Sequence, residues 1–285
     1  MQYFIPADVP SQCSRQFRKN YEAITHKTEN LFLFAADQKL EHLNQDFFGE
    51  GISPEAATPE HLFAIANNSD IGAFATQLGL IARYGKQYPK INYLVKLNSK
   101  TNALKSELHD PISEQLWTVY DSVRFKQDSG LNICGVGYTI YLGSEYESVM
   151  IQEAAQIINN AHQEGLVTIL WIYPRGKSIS GYSPELLAGS AGVANALGAD
   201  FVKLHLPRHA DFNDLIPAVK AGGNTKIIVS GGEKVDEDIF LKDLEAQLSK
   251  GTYGTAVGRN LFQRPSKNAA DFAEKISKII YKLPA

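Results

Sequence analysis

Short runs of consecutive apolar residues recur along this chain, and most are followed by a stretch whose apolar positions repeat at helical spacing. The runs fall at 31–36, 71–75, 91–97, 134–140, 167–173, 201–206, 226–230 and 253–257. Each has strand length and carries apolar residues on both faces, so each reads as a strand buried on both faces. Helical patterns follow at 78–86, 146–163, 184–197 and 268–283. Thr58-Pro59-Glu60 reads as a helix start, with Thr at the N-cap and Pro in the first turn, and Gly165 as a helix end. Doubly buried strands alternating with helices imply an α/β fold with a parallel sheet. Eight such strands in this length predict a single (β/α)8 TIM barrel, one domain over residues 1–285. Residues 1–30 read as an N-terminal extension whose 14–27 stretch forms an amphipathic helix packed on one end of the barrel. The 38–57 segment, with Gly49, Gly51 and Pro54, reads as a long functional loop. Residues 114–121 carry no clear pattern.

The apolar run at 201–206 is interrupted by a single charge, Lys203. Gly198 precedes and Pro207 follows the strand in which Phe201, Lys203 and His205 share one face, and Val202, Leu204 and Leu206 the other. A lysine in such a strand either snorkels to water or sits in a cavity. In a cavity, desolvation favours the neutral amine, which is the nucleophile that Schiff-base chemistry on a carbonyl requires.

Composition narrows the field around that lysine. The chain has 285 residues, 44% of them hydrophobic, and a formal net charge of −3 without a block of like charges. Neither a nucleic-acid groove nor a membrane surface is indicated. Cys13 and Cys134 stand alone, so the chain offers no disulfide framework and no cysteine metal motif. The histidines are scattered, and His205 and His209 read as ordinary loop residues, so no catalytic metal is expected. With no signal peptide and no membrane span visible, the expectation is a soluble cytoplasmic protein.

Active sites of such barrels gather at the C-terminal ends of the strands. The first strand delivers Asp37 there, the third Lys96 and Asn98, the fifth Trp171 and Tyr173, the sixth Lys203 and His205. The seventh ends in Ser230-Gly231-Gly232 and the eighth in Gly258-Arg259. Glycine turns after strands seven and eight suit a phosphate, which backbone N–H groups approach closely and Arg259 neutralises. Each group also has an ordinary alternative: Tyr173 a buried phenol, Asp37 a cap or loop ion pair, Lys96 a snorkelled strand end or a structural partner of Asp37. The set as a whole suits carbonyl chemistry on a phosphorylated substrate.

These residues also occur in a familiar order. Asp37-Gln38-Lys39-Leu40-Glu41-His42, Lys96-Leu97-Asn98, Gly143-Ser144-Glu145, Trp171-Ile172-Tyr173-Pro174-Arg175-Gly176, Val202-Lys203, Ser230-Gly231-Gly232 and Val257-Gly258-Arg259-Asn260-Leu261-Phe262 together resemble the archaeal-type class I fructose-bisphosphate aldolases. The first turn departs from the Asp-His-Gly of many members. The resemblance implies a metal-independent aldehyde-lyase with no cofactor beyond a covalent Schiff base. It implies Lys203 as the Schiff-base lysine, Tyr173 as the proton-transfer residue, and Asp37 and Trp171 as substrate-site residues. Lys96 is taken as a further substrate-binding residue, with Ser230, Gly231, Gly232, Gly258 and Arg259 holding a substrate phosphate. A role in glycolysis or gluconeogenesis and a homo-oligomer are also implied. Related barrels share the lysine: a transaldolase-like synthase and a thiolase, both acting on phosphorylated sugars. A non-catalytic phosphosugar-binding barrel is the reading from another class.

Overall fold

The computed structural model describes residues 4–103 and 109–282. Its elements run α1 (Ser14–Thr25), β1 (Leu31–Ala35), α2 (Gln38–Glu41), α3 (Pro59–Asn67), β2 (Ala73–Thr76), α4 (Leu78–Tyr84), β3 (Tyr93–Lys96), α5 (Val119–Ser129), β4 (Ile133–Leu142), α6 (Glu147–Gln163), β5 (Val167–Pro174), α7 (Pro184–Leu197), β6 (Phe201–Leu204), α8 (Leu215–Gly222), β7 (Lys226–Ser230), α9 (Glu237–Ser249), β8 (Gly254–Val257), α10 (Arg259–Phe262) and α11 (Ser266–Tyr281). The strands pair in sequence order, all parallel, and β8 closes back onto β1. The fold is therefore a TIM barrel.

Strand alternation sorts the core into two layers. Leu31, Leu33, Ala73, Ala75, Leu94, Ile169, Trp171, Phe201 and Ile228 fill the inside of the ring. Phe32, Phe34, Phe74, Tyr93, Val95, Leu170, Val202 and Leu204 face the helices. This double burial is why the strands read as unbroken apolar runs. α1 joins the inner layer rather than the outer one. Its Phe17, Tyr21 and Ile24 cluster with the barrel interior, and the Tyr21 ring stacks on Phe201 at 5.6 Å. The Asn20 amide donates to the Gly165 carbonyl at 2.7 Å, at the start of β5. α1 thus plugs the N-terminal end of the barrel and leaves the other end for the site.

Three segments differ from the pattern-based reading. The 38–57 stretch is not structureless: it holds α2 and two 3-10 turns, Gln45–Phe47 and Pro54–Ala57. Phe47 anchors it, fully buried and stacked on Phe262 at 4.6 Å. The 114–121 stretch leads into a helix, α5, opened by a capping box in which the Thr118 hydroxyl accepts from the Asp121 N–H and the Asp121 carboxylate accepts from the Thr118 N–H. β4 runs on to Leu142, two residues past the expected end, and so carries Tyr141 to the rim. No helix among the described residues is long and apolar enough to cross a membrane.

Candidate active site

At the C-terminal end of the barrel lies a cavity of about 690 Å³. Of the residues singled out from the sequence, Asp37, Tyr173, Lys203, Ser230, Gly231, Gly232, Gly258 and Arg259 all line it, together with His205. Glu41, His42, Asn102 and Arg175 complete the side nearest β1 and β5. Lys96 and Trp171 are not in its lining; they stand one layer deeper.

That deeper layer is built around the Trp171 indole. Register places Trp171 beside Lys203 on β6 and beside Thr139 on β4. A Cβ at Gly137 would lie 2.3 Å from the indole Cζ3, so the missing side chain is what gives the ring its seat. The Lys203 amine lies 5.5 Å from the ring centroid and the Lys96 amine 5.4 Å, within reach of a cation–π attraction. The indole Nε1–H is buried and finds no acceptor among the described residues.

The two lysines differ in what holds them. Lys96 is fully buried and donates to the Asn98 carbonyl at 2.8 Å and to its side-chain oxygen at 2.9 Å. Asn98 is itself fixed, its amide nitrogen donating to the Ser113 and Thr139 carbonyls and its oxygen accepting from the Thr139 N–H. Burial pushes the Lys96 pKa down to about 8; the charges of Asp37 and Glu41 work against that shift and the charge of Lys203 adds to it. Lys203 is also buried, at 5% exposure, but its amine donates to no acceptor among the described residues and lines the cavity.

The tyrosines divide in the same way. Tyr141 is buried and donates to the Glu41 carboxylate at 2.9 Å. Tyr173, its register partner on β5, lies with its ring 6.3 Å away at 27° and makes no hydrogen bond through its hydroxyl to the described residues. Burial raises the Tyr173 pKa; Lys203 and Arg175 oppose the rise, while Glu41 and Asp37 add to it. The phenol therefore carries its proton at neutral pH, and it lines the cavity with no partner for its hydroxyl among the described residues.

At the β7 and β8 end, the Gly231 N–H donates to the Ala256 carbonyl at 2.8 Å, so it closes the turn rather than facing the cavity. Gly232 has φ +66°, a left-handed conformation that suits glycine, and its N–H donates to no acceptor among the described residues. The Ser230 hydroxyl meets His205 Nδ1 at 2.9 Å. Burial, then the cations Arg175, Lys203 and Arg259, lower the His205 pKa, which leaves the ring neutral. Asn260 follows Arg259 in the first turn of α10. Fully buried, it donates to the Gly231 and Glu233 carbonyls at 2.8 and 2.9 Å and accepts from the Val235 N–H at 2.9 Å, clamping the turn after β7. A Cβ at Gly258 would lie 2.9 Å from the Ala35 carbonyl oxygen, so this turn passes against β1. Arg259 opens α10 with its guanidinium 3.9 Å from Glu233 and 4.0 Å from Asp46.

A family model described as DeoC/LacD family aldolase matches residues 31–264. The chain belongs to this aldolase family. Membership makes it an enzyme, an aldolase and so a carbon–carbon lyase. A relative from Methanocaldococcus jannaschii, described as a fructose-bisphosphate aldolase/6-deoxy-5-ketofructose 1-phosphate synthase, is 49% identical over 98% of this chain and 89% of its own length. The solved structure of a fructose-bisphosphate aldolase from Slackia heliotrinireducens superposes with a TM-score of 0.96, at 44% identity, covering 99% of this chain and 91% of that one. An archaeal fructose-1,6-bisphosphate aldolase, solved with its catalytic lysine bound to the carbinolamine intermediate of the substrate, matches with a TM-score of 0.80 at 30% identity, covering 93% and 99% of the two chains. The aldolase family thus accounts for the barrel.

Proposed function

We propose that the enzyme cleaves and re-forms fructose 1,6-bisphosphate through a Schiff base on Lys203. The observation that carries this reading is the meeting, in one cavity, of a buried amine and a phenolic hydroxyl that have no hydrogen-bond partner among the described residues, with the Gly232 and Arg259 turns in the same lining. Lys203, as the free amine, adds to the C2 carbonyl, and loss of water gives an iminium. The iminium withdraws the electron pair of the C3–C4 bond while Tyr173 relays the C4 hydroxyl proton, the phenol taking it as its own proton moves on to a water. Glyceraldehyde 3-phosphate leaves, the enamine takes a proton at C3, and hydrolysis frees dihydroxyacetone phosphate and regenerates the amine. In condensation the Tyr173 phenol hands its proton to the aldehyde oxygen. The iminium is the electron sink, so the scheme asks for no metal.

Asp37 orients substrate hydroxyls and offsets the iminium charge. The Gly232 N–H and Arg259 receive the phosphate on C1, with Ser230 and Gly258 shaping the turns. Trp171 forms the floor under Lys203, and Lys96 balances the carboxylates of Asp37 and Glu41. Reduction with borohydride in the presence of dihydroxyacetone phosphate is expected to leave a stable adduct on Lys203, mapped by peptide mass; an adduct elsewhere, or none, overturns the assignment. A phosphosugar-binding barrel without catalysis would bind the ligand and give no adduct.

A second acceptor is favoured by the Methanocaldococcus relative, whose description includes 6-deoxy-5-ketofructose 1-phosphate synthesis. Cutting that sugar between C3 and C4 gives the same three-carbon phosphate and an unphosphorylated ketoaldehyde. The enamine on Lys203 would serve both reactions, and a condensation assay with 2-oxopropanal beside glyceraldehyde 3-phosphate separates them.

A further inference from the structure

Glu41 closes α2, on the turn where this chain reads Asp-Gln-Lys-Leu-Glu-His. It lines the same cavity as Tyr173 and Lys203. One carboxylate oxygen accepts from the Tyr141 hydroxyl at 2.9 Å; the other makes no hydrogen bond among the described residues. The Tyr141 ring in turn flanks Tyr173 at 6.3 Å, on the neighbouring strand and in register with it. A buried ring whose hydroxyl is held by a carboxylate from another element is hindered from swinging, so it fixes the surface against which Tyr173 rests. The Arg175 guanidinium lies 4.8 Å from the Tyr173 ring centroid and adds a second restraint.

We propose that Glu41, braced by Tyr141, is the positioning residue for Tyr173: it fixes the orientation of that phenol and keeps the proton on it. This rests on the reading of Tyr173 as the proton-transfer group. The groups that act on Tyr173 come from every side: Lys203 from β6, Arg175 from the end of β5, Asp37 and Glu41 from the turn after β1, and the Tyr141 ring from β4. Burial opposes the phenolate first and the two carboxylates add to that, while Arg175 and the Lys203 nitrogen, cationic once it is an iminium, favour it. Asp37 faces substrate in the proposed scheme, whereas Glu41 is held by Tyr141 and is the carboxylate committed to the protein. Glu41 keeps its own charge because Lys96, the Tyr141 hydroxyl, His42 and Arg175 together outweigh the burial that would neutralise it. Lys100, whose amine lies 5.9 Å from the Tyr141 ring centroid, is a further cation on this side. Removing the Glu41 charge takes away one of the two carboxylates that oppose the cations at Tyr173, and frees the Tyr141 hydroxyl.

The experiment measures condensation rates against pH for the wild type, Glu41→Gln, Glu41→Asp and Tyr141→Phe, with borohydride trapping at Lys203 run in parallel. In Glu41→Gln the alkaline limb of kcat is expected to move about one pH unit lower, and Glu41→Asp restores it. Tyr141→Phe keeps the ring and its packing, and its kcat is expected to fall by a factor of about ten to a hundred at unchanged KM for dihydroxyacetone phosphate. An unmoved limb in Glu41→Gln overturns the proposal. So does a change confined to the KM of the aldehyde, which would make Glu41 a substrate contact. Trapping separates the two layers of argument. An adduct on Lys203 with an unmoved limb removes only the role of Glu41, whereas absence of the wild-type adduct removes the Schiff-base reading itself.

Discussion

Lys96 and Lys203 stand at nearly equal distances from one indole ring, on β3 and β6, and the barrel treats them oppositely. Both are strand-end lysines in apolar runs, and both are buried. Around Lys96 the protein supplies two oxygen acceptors and an asparagine fixed by three further hydrogen bonds. Around Lys203 it supplies an aromatic face and open cavity. Burial therefore does not mark the nucleophile. What marks it is burial without an acceptor among the described residues, because fixed oxygen acceptors favour the ammonium form, which has no lone pair, and hold the nitrogen in place.

The sharpest way to break this contrast is to remove each amine in turn. Lys203→Met is expected to lose both turnover and the borohydride adduct, while Lys96→Met keeps the adduct on Lys203 and turns over slowly. If Lys96→Met abolishes the adduct and Lys203→Met does not, the roles are reversed. Next in size is Tyr173→Phe, expected to lower kcat by roughly 10²–10⁴, the usual worth of a placed proton donor, with trapping at Lys203 retained. Loss of the adduct in that variant would place Tyr173 in iminium formation instead.

Stability against pH gives a smaller signal, and its sign distinguishes two buried cations. Lys96 has a folded pKa near 8, below its ordinary 10.5. The unfolded chain binds the extra proton between those values, so stability rises as pH climbs from 8 to 10.5, by on the order of 3 kcal/mol. His162 behaves the other way. It is fully buried between Asp8 at 2.8 Å and Asp200 at 3.2 Å. Burial works against its charge, but the two carboxylates outweigh burial and push its pKa up to about 9, from 6.5. The folded state holds that proton, so the stability it contributes is complete below pH 6.5 and is lost as pH rises through 9, again by on the order of 3 kcal/mol. Urea unfolding from pH 6 to 10.5 checks both: His162→Asn is expected to flatten the fall and Lys96→Met the rise. Equal curves for wild type and variants would show that neither group is linked to unfolding.

The strands and the strand-end chemistry were legible in the sequence for one reason. A parallel barrel buries both faces, so Leu31 to Ala35 or Ile169 to Ile172 appear as solid apolar blocks and anything polar at their C-terminal ends stands out. Asp37, Tyr173 and Lys203 were visible on that ground. α5 was not, because its exposed face is charged and polar and its start is signalled by Thr118 and Asp121 rather than by an apolar stripe. Asn260 was hidden for another reason: its partners Gly231, Glu233 and Val235 lie on the preceding loop, and only folding shows that one side chain answers three backbone groups. Tyr141 and Glu41 are a hundred positions apart, and no local pattern links them. Local periodicity reports which face is buried; it is silent about which polar atoms meet there.

Gly137 sets a condition on the chemistry from a strand that contributes no reactive group. A single methyl at that position would overlap the six-membered half of the indole at 2.3 and 2.8 Å, and the displaced ring would have to move among the two lysine side chains beside it. The spacing between the reactive nitrogen and its twin is thus set by a hydrogen atom on β4. A variant with alanine there would keep every functional group of the site and lose their alignment.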